Sequence, residues 1–220
     1  MRLDYFKEKF DAIVPLSGGI DSAAALFKVL SENPNKKYLV FRIDMVHGTS
    51  GNRTTREAMA TEKILNWLEE NGHHNFGFRE LRIDYSALGM TPPVWDSEVV
   101  NFAASLVIQA KPEISEFVEG AIQDDYLEKG FAERLDKIEK ILRLHTGKSA
   151  EELEIYFPLK DKSKVEVMRM LPKELLNLTW SCRYPKIVSP WEFGRCHECP
   201  QCGVIDKAIK ADPNEFPLGF

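Results

Sequence analysis

Residues 17–22, with the sequence SGGIDS, combine the residue types that bind a phosphate chain. Two successive glycines let the backbone turn sharply and approach a ligand closely, and the N–H groups at a helix start attract phosphate oxygens. The Asp21 carboxylate would repel phosphate, which predicts a Mg²⁺ ion between the two groups. A tight turn with Ser17 or Asp21 as helix N-cap is the simpler alternative. The complete segment, between a strand and a helix, predicts a nucleotide-binding site made by Ser17, Gly18, Gly19, Asp21 and Ser22.

The cysteines are the second group of residues that could have a chemical function. All four lie in one stretch near the end of the chain, and the last three make two overlapping Cys-x-x-Cys pairs: Cys182, Cys196, Cys199 and Cys202. Four thiolates at such spacings close a tetrahedral Zn²⁺ site with no open position, which predicts a structural metal. Buried free cysteines or a redox pair are the alternatives. His197 stands inside the cluster, where we interpret it as a bystander.

The composition of the chain limits the classes of protein to which it can belong. Its 220 residues include 29 basic and 34 acidic side chains, for a net charge of −5, and 44% are hydrophobic. These values exclude a disordered chain and do not favour a basic surface for nucleic acid. No apolar run approaches the ~18 residues of a membrane span, and the first residues do not resemble a secretory signal. We therefore expect a cytoplasmic protein that binds no membrane.

Strand-like and helical segments alternate along most of the chain. Strands are expected near residues 11–16, 38–43, 78–83, 114–122 and 155–159, and helices near 22–30, 54–70, 94–109, 126–144 and 163–171. This alternation predicts an α/β fold with a doubly wound parallel sheet of five strands, whose ligands bind at the carboxyl ends of the strands. No periodic segment is predicted after residue 178. We therefore divide the chain into an ATP-binding domain, 1–178, and a zinc module with a tail, 179–220.

The order of the motifs resembles that of the QueC family, the 7-cyano-7-deazaguanine synthases, which are N-type ATP pyrophosphatases of the PP-loop superfamily. The SGGIDS segment is similar to the family's pyrophosphate loop, and TWSC at residues 179–182 precedes the cysteine pairs. Residues 53–57 (RTTRE) resemble its Arg-His-x-x-Glu, and residues 158–166 resemble its Pro-Leu…Thr-Lys-x-Glu. Gly120 with Asp124 resembles the Gly…Asp after the fourth strand. Taken singly, several matches have plainer interpretations, such as a capping box at residues 54–57.

The resemblance implies an ATP-dependent ligase of queuosine biosynthesis. The family adenylates the carboxylate of 7-carboxy-7-deazaguanine, ammonia displaces AMP to give an amide, and a second ATP leads to the nitrile. The implied cofactors are ATP, Mg²⁺ and Zn²⁺. The catalytic residues that we expect are Asp21, Arg53 and Lys164, the last two as stabilisers of the phosphates or the transition state. The expected substrate residues are the stacking faces and hydrogen-bond acceptors Trp95, Trp180, Asp96 and Asp124, although both tryptophans have a core position as their alternative.

Departures from the family pattern lie on the substrate side. Residues 93–96 (PVWD) stand where the family has Pro-x-Arg-Asn, the Tyr-Pro-Asp-Cys-Arg segment is missing, and the arginine expected after Cys202 is not found. The acceptor therefore stays open between ammonia and a protein amine, the latter as in a QueC-like ligase of antiviral operons. A tRNA-modifying PP-loop enzyme and a catalytically inactive nucleotide-binding protein are further alternatives, and the acidic charge counts against nucleic acid. The expected partner is a small deazapurine, and a homodimer is an open alternative.

Overall fold

Five parallel strands form the central sheet of the structure, a computed structural model that describes residues 7–46, 53–88, 96–189, 192–213 and 215–216. The strands are β1 (Ala12–Pro15), β2 (Tyr38–Val46), β3 (Phe76–Asp84), β4 (Glu116–Val118) and β5 (Glu154–Tyr156). Their spatial order is β3-β2-β1-β4-β5, and each neighbouring pair is parallel. The predicted α/β fold with a five-stranded parallel sheet is confirmed.

Helices cover both faces of this sheet. They are α1 (Ile20–Glu32), α2 (Arg53–Glu70), α3 (Asp96–Ala110), α4 (Gln123–Tyr126), α5 (Phe131–Thr146), α6 (Lys164–Met170), α7 (Lys173–Leu178) and α8 (Pro200–Ala211). Helices α3 and α5 bury one face, and α1, α2, α6, α7 and α8 bury the other. Neighbouring strand residues alternate between the two cores, as the period of two requires: Val14 and Val40 face one core, and Ile13 and Leu39 face the other. No helix of the described residues is both long and apolar enough to cross a membrane.

The strand order reverses next to β1, and this reversal places the candidate site. The chain leaves β1 for β2 on one side and returns to β4 on the other. Loops that follow β1 and β4 therefore diverge, and an open crevice forms at the carboxyl ends of these two strands. Residues 17–22 follow β1, and Gly120 follows β4. The predicted phosphate-binding motif thus lies at the position where α/β sheets of this type bind ligands.

The single helix predicted over residues 126–144 is wrong, because the structure has two helices there. Helix α4 is one turn long, and α5 begins at Phe131. Between them Gly130 has a φ of 86°, in the left-handed region that glycine adopts without strain. A glycine inside a helical pattern was the available signal, since it lowers helix stability and permits a turn.

The prediction that residues after 178 contain no periodic element is also wrong. Strands β6 (Lys186–Ser189) and β7 (Glu192–Gly194) form an antiparallel pair, and α8 follows with 12 residues. Helix α8 buries Ile205, Ala208 and Ile209 in the core shared with α1 and α6. Side chains from both sides of residue 178 therefore pack in one cluster, and the division into two domains stays a prediction.

Candidate functional site

The loop of residues 17–22 turns from the end of β1 directly into the first turn of α1. Gly18 has a φ of 81°, and Gly19 is the N-cap of the helix. Hydroxyl groups accept from the loop's donors: the Gly19 N–H donates to Ser17 Oγ, and the Ile20 N–H donates to Ser181 Oγ, each over 3.3 Å. A hydroxyl is a neutral acceptor, so a charged phosphate oxygen can replace it with a stronger bond. The loop offers N–H donors and hydroxyls at a helix start, which is the arrangement that binds phosphate.

Two glycines let this loop pack tightly against its neighbours. A Cβ on Gly18 would lie 2.8 Å from the carbonyl oxygen of Glu57, in the first turns of α2. A Cβ on Gly120 would lie 3.4 Å from the carbonyl oxygen of Asp21. The loop is therefore held between α2 on one side and the segment after β4 on the other, with no room for a side chain at Gly18.

Lys164 and Asp21 form an ion pair at the start of α1. The Lys164 ammonium donates to both carboxylate oxygens, over 2.7 and 2.6 Å. The lysine side chain is 6% exposed and that of Asp21 is 30% exposed, so the pair reaches from the core to the surface of the crevice. The Lys164 backbone N–H also donates to Asp124 Oδ2 over 2.7 Å. Three residues predicted for the site, Asp21, Lys164 and Asp124, are thus brought together.

Helix α6 begins at Lys164, and its start is fixed by a capping box. The Ser163 hydroxyl accepts from the backbone N–H of Glu166, and the Glu166 carboxylate accepts from the Ser163 N–H over 2.8 Å. Such reciprocal bonds satisfy two of the free donors of a helix start. The lysine therefore emerges from a defined helix end, directed at the loop.

Arg53 donates hydrogen bonds to two carboxylates. Its Nε donates to Glu57 Oε1 over 2.7 Å, and its Nη2 donates to Asp96 Oδ2 over 2.6 Å. Burial alone would lower the pKa of Arg53, but the two carboxylates outweigh burial and raise this pKa. Arg183 also approaches Asp96, with 3.8 Å between its Nη1 and Asp96 Oδ2. The predicted site residues Arg53 and Asp96 are therefore bonded to each other.

The four cysteines converge on one point. Their sulfur atoms all lie within 4.8 Å of one another, and those of Cys196 and Cys202 are 3.8 Å apart. Backbone N–H groups of Glu198 and Cys199 donate to the Cys196 sulfur over 3.4 and 3.2 Å. Burial would raise the pKa of Cys196, but hydrogen bonds from these N–H groups and from neighbouring thiols outweigh it and lower this pKa, whereas burial raises the pKa of Cys182 and of Cys202. The predicted cysteine set fits one bound metal ion.

The cysteine cluster is joined directly to the phosphate-binding loop. The Trp180 backbone N–H donates to the Gly18 carbonyl oxygen over 2.7 Å, next to the bond from Ile20 to Ser181 Oγ described above. The Trp180 ring is buried among the cysteines, and its Nε1–H donates to the Cys182 carbonyl over 3.0 Å. The guanidinium of Arg56 lies 4.1 Å above the centre of this ring. The segment that leads into the cysteine cluster therefore also holds the loop in place.

Two contacts at the site were not identified from the sequence. Ser181 stands within the TWSC segment, but its bond to the start of α1 depends on a fold that joins positions 161 residues apart. Arg56 stands in the RTTRE segment, where only Arg53 was assigned a role, and an arginine three residues further on was the available signal. Trp95, a predicted substrate residue, lies outside the described residues.

Comparisons with known proteins identify the fold. The structure is similar to that of the U34-tRNA thiolase NcsA from Methanococcus maripaludis, solved with its 4Fe-4S cluster: the TM-score is 0.52 and the identity 16%, over 97% of this chain and 70% of that one. It is also similar to NMN synthetase from Francisella tularensis, with a TM-score of 0.45 and 15% identity over 80% of this chain and 68% of that one. No family model matches the sequence, and no curated protein matches it. The chain has an α/β fold similar to that of the thiolase. At 16% identity, the resemblance to the thiolase is a resemblance of fold.

Proposed function

We propose that this chain is an ATP-dependent ligase that adenylates the carboxylate of a small acid and passes the acyl group to an amine. The observation that carries the proposal is the ion pair of Asp21 with Lys164 at a loop of N–H donors and hydroxyls. Its two partners are the groups that ATP with Mg²⁺ requires: a carboxylate that binds the ion and a cation that binds the phosphates. Both lie at the carboxyl ends of β1 and β4.

Binding of ATP with Mg²⁺ would exchange partners within this ion pair. The Asp21 carboxylate would turn from the lysine to the Mg²⁺ ion, and the Lys164 ammonium would turn to a phosphate oxygen. Each charge keeps an opposite charge throughout, so the exchange leaves no buried ion unpaired. The lysine is 6% exposed and needs such a partner at every stage.

The proposed substrate is 7-carboxy-7-deazaguanine, in line with the resemblance of the motifs to the QueC family. A carboxylate oxygen attacks the α-phosphorus of ATP, and pyrophosphate leaves. The nitrogen of ammonia then attacks the acyl carbon, AMP leaves with the bonding electrons, and the nitrogen loses a proton to give the amide. A second ATP adenylates the amide oxygen and releases pyrophosphate; the C–O bond then breaks, AMP leaves with the oxygen, and the nitrogen loses both protons to give the nitrile. The chain's contribution is to hold the reacting groups together and to stabilise charge. Asp96, Asp124, Trp95 and Trp180 remain the proposed substrate residues.

The proposed metal is a structural Zn²⁺ ion. Zn–S bonds of ~2.3 Å in a tetrahedron separate the sulfurs by ~3.8 Å, and the Cys196 and Cys202 sulfurs are 3.8 Å apart. A 4Fe-4S cluster binds each of its cysteines to a different iron, so its ligand sulfurs must lie further apart. Four thiolates leave no open position on zinc, and its role is to hold residues 180–182 against the loop.

Pyrophosphate release by the purified chain tests this function. With ATP and Mg²⁺, adding 7-carboxy-7-deazaguanine should start release, and 7-deazaguanine without the carboxylate should not. Mass spectrometry with and without ammonia should then detect the amide or the nitrile only when ammonia is present. Asp21→Asn is the matched variant, because it keeps the shape of the side chain and removes the charge that binds Mg²⁺.

Two results would redirect the proposal. Release that requires a protein amine and never occurs with ammonia would identify the ligase alternative. Release that requires tRNA, with no response to the acid, would identify a tRNA-modifying enzyme. ATP binding with no release under any of these conditions would reject an enzymatic function.

A further inference from the structure

Arg56 differs from the other arginines around the candidate site. Its Nε is buried and has no hydrogen-bond acceptor, and none of the described residues forms an ion pair with it. Arg53 by contrast donates to two carboxylates, and Arg183 faces one of the same two. Among the described residues, Arg56 is therefore a half-buried guanidinium beside the loop without the carboxylate partner that Arg53 and Arg183 have.

Around Arg53 and Arg56, the arginines outnumber the carboxylates that they face. Arg53, Arg56 and Arg183 supply three positive charges, and Glu57 with Asp96 supplies two negative charges. Burial lowers the pKa of Arg56. A half-buried cation is costly without an opposite charge, and none of the carboxylates in the described residues forms an ion pair with Arg56, so an anionic ligand would balance this group.

The Arg56 guanidinium lies over two aromatic rings. Its Cζ is 4.1 Å from the centre of the Trp180 ring and 5.9 Å from the centre of the Phe193 ring. A guanidinium held over a ring in this way keeps the N–H groups at its edge for hydrogen bonds to a ligand. That edge is a planar fork that matches the two oxygens of a carboxylate.

Arg56 and Trp180 lie next to the phosphate-binding loop. The Trp180 N–H donates to the Gly18 carbonyl over 2.7 Å, and a Cβ on the same glycine would lie 2.8 Å from the carbonyl oxygen of Glu57, the residue after Arg56. A ligand held by Arg56 would therefore be beside the pyrophosphate loop.

We infer that Arg56 binds the carboxylate of the acid substrate and holds it next to the α-phosphate of ATP. This inference rests on the proposed function and adds the residue that recognises the reacting group. Arg56 forms no bond to phosphorus and transfers no proton. It positions the carboxylate oxygen that attacks. Phosphate groups of ATP have similar oxyanion chemistry, and the test below separates the two ligands.

The first test compares Michaelis constants in pyrophosphate release. Arg56→Gln should raise the KM for 7-carboxy-7-deazaguanine about tenfold or more and change the KM for ATP by less than about twofold. Arg56→Lys should have a KM for 7-carboxy-7-deazaguanine between that of the wild type and that of Arg56→Gln, because lysine keeps the charge and loses the planar fork. Arg82→Gln is the matched control: this arginine is on β3, 64% exposed, and its substitution should change neither constant.

The second test measures binding without catalysis. Calorimetry should show that Arg56→Gln weakens binding of 7-carboxy-7-deazaguanine about tenfold and leaves binding of 7-deazaguanine, which lacks the carboxylate, unchanged. Thermal melting and zinc content show whether each variant is folded, and if Arg56→Gln does not fold, the same comparison is made with Arg56→Lys.

Each outcome decides for or against the inference. A raised KM for ATP alone would show that Arg56 binds a phosphate, and equal losses for both deazaguanines would show that it contacts the base or only the tryptophan. Either result overturns the inference, as does unchanged binding of the acid or a wild-type chain that does not bind it. Binding of the acid that depends on Arg56, without pyrophosphate release, would support the inference and reject the proposed function.

Discussion

Lys164 is a buried ammonium whose charge is balanced by one carboxylate. Its side chain is 6% exposed, and both of its short contacts to a carboxylate are to Asp21. Asp21 is more exposed, at 30%, so water can solvate it without the lysine. The two partners therefore depend on each other unequally, and the lysine loses more when the pair is broken.

This inequality predicts different effects of the two single substitutions. Asp21→Asn should lower the free energy of unfolding by on the order of 2 kcal/mol, because a buried cation loses its partner. Lys164→Met should lower the free energy of unfolding less. The double variant Asp21→Asn with Lys164→Met should recover most of the stability that Asp21→Asn loses. Urea unfolding of the wild type, the two single variants and the double variant measures these differences. Wild-type stability in Asp21→Asn would contradict the dependence of the lysine on this carboxylate.

Two glycines with similar backbone angles allow a second prediction for single residues. Gly18 and Gly72 have φ values of 81° and 87°, but a Cβ would meet a backbone oxygen at 2.8 Å at Gly18 and nothing within 4 Å at Gly72. Gly72→Ala should cost about 1 kcal/mol, the cost of a left-handed alanine. Gly18→Ala adds a backbone clash and should also abolish ATP binding. Thermal melting measures the stability of the two variants, and titration with ATP measures their binding. Equal losses of stability and of ATP binding in the two variants would show that the carbonyl of Glu57 does not constrain the loop.

At the scale of elements, helix α8 begins where the metal site ends. Cys199 is the N-cap of α8, and its sulfur accepts from the Cys202 N–H. The same sulfur belongs to the proposed zinc site, and the helix that follows buries Ile205 and Ile209 in the main core. The proposed metal would therefore fix the start of a helix whose other residues stabilise the sheet.

Cys199→Ser separates these two roles. Serine is a good N-cap but a poor ligand for zinc, so the capping bond is kept and the metal bond is lost. We expect less bound zinc, less helix by far-UV circular dichroism and a lower melting temperature, because a structural zinc contributes folding free energy. His197→Asn is the matched control, since asparagine tolerates the φ of 59° at this position. Equal zinc content in Cys199→Ser and the wild type would exclude Cys199 as a ligand.

The sequence was sufficient to predict the elements whose signals are local. The strands and the SGGIDS loop combine apolar runs with glycines, and all five predicted strands are present. The break at Gly130 was missed because apolar spacing continues across it, and α8 was missed because cysteines hold its first apolar positions. The bond of Arg53 to Asp96 spans 43 residues and depends on packing that no local pattern contains.

At the scale of the whole molecule, one core includes residues from both sides of position 178. Ala23 of α1, Met168 of α6 and Ile209 of α8 belong to the same cluster, and the loop after β1 bonds to residues 180 and 181. The two parts of the chain therefore stabilise each other, although the sequence favoured a boundary between them.

This shared core predicts a single unfolding transition. Near-UV and far-UV circular dichroism should melt together, and removing the metal with a chelator should lower that one melting temperature. The reason is that α8 and the main sheet lose their contacts at the same time. Two separate transitions, with only the first sensitive to the chelator, would instead confirm the predicted division at residue 178.

The hydrogen bond between Ile20 and Ser181 joins positions that are 161 residues apart. A ribosome adds about 5–20 residues per second, so the loop emerges roughly 10–30 s before the residues that complete it. During this interval the nascent chain has the phosphate-binding motif but lacks Trp180 and Ser181, which hold it in place. The order of synthesis thus separates the appearance of the loop from the completion of its contacts, which waits for residues made much later.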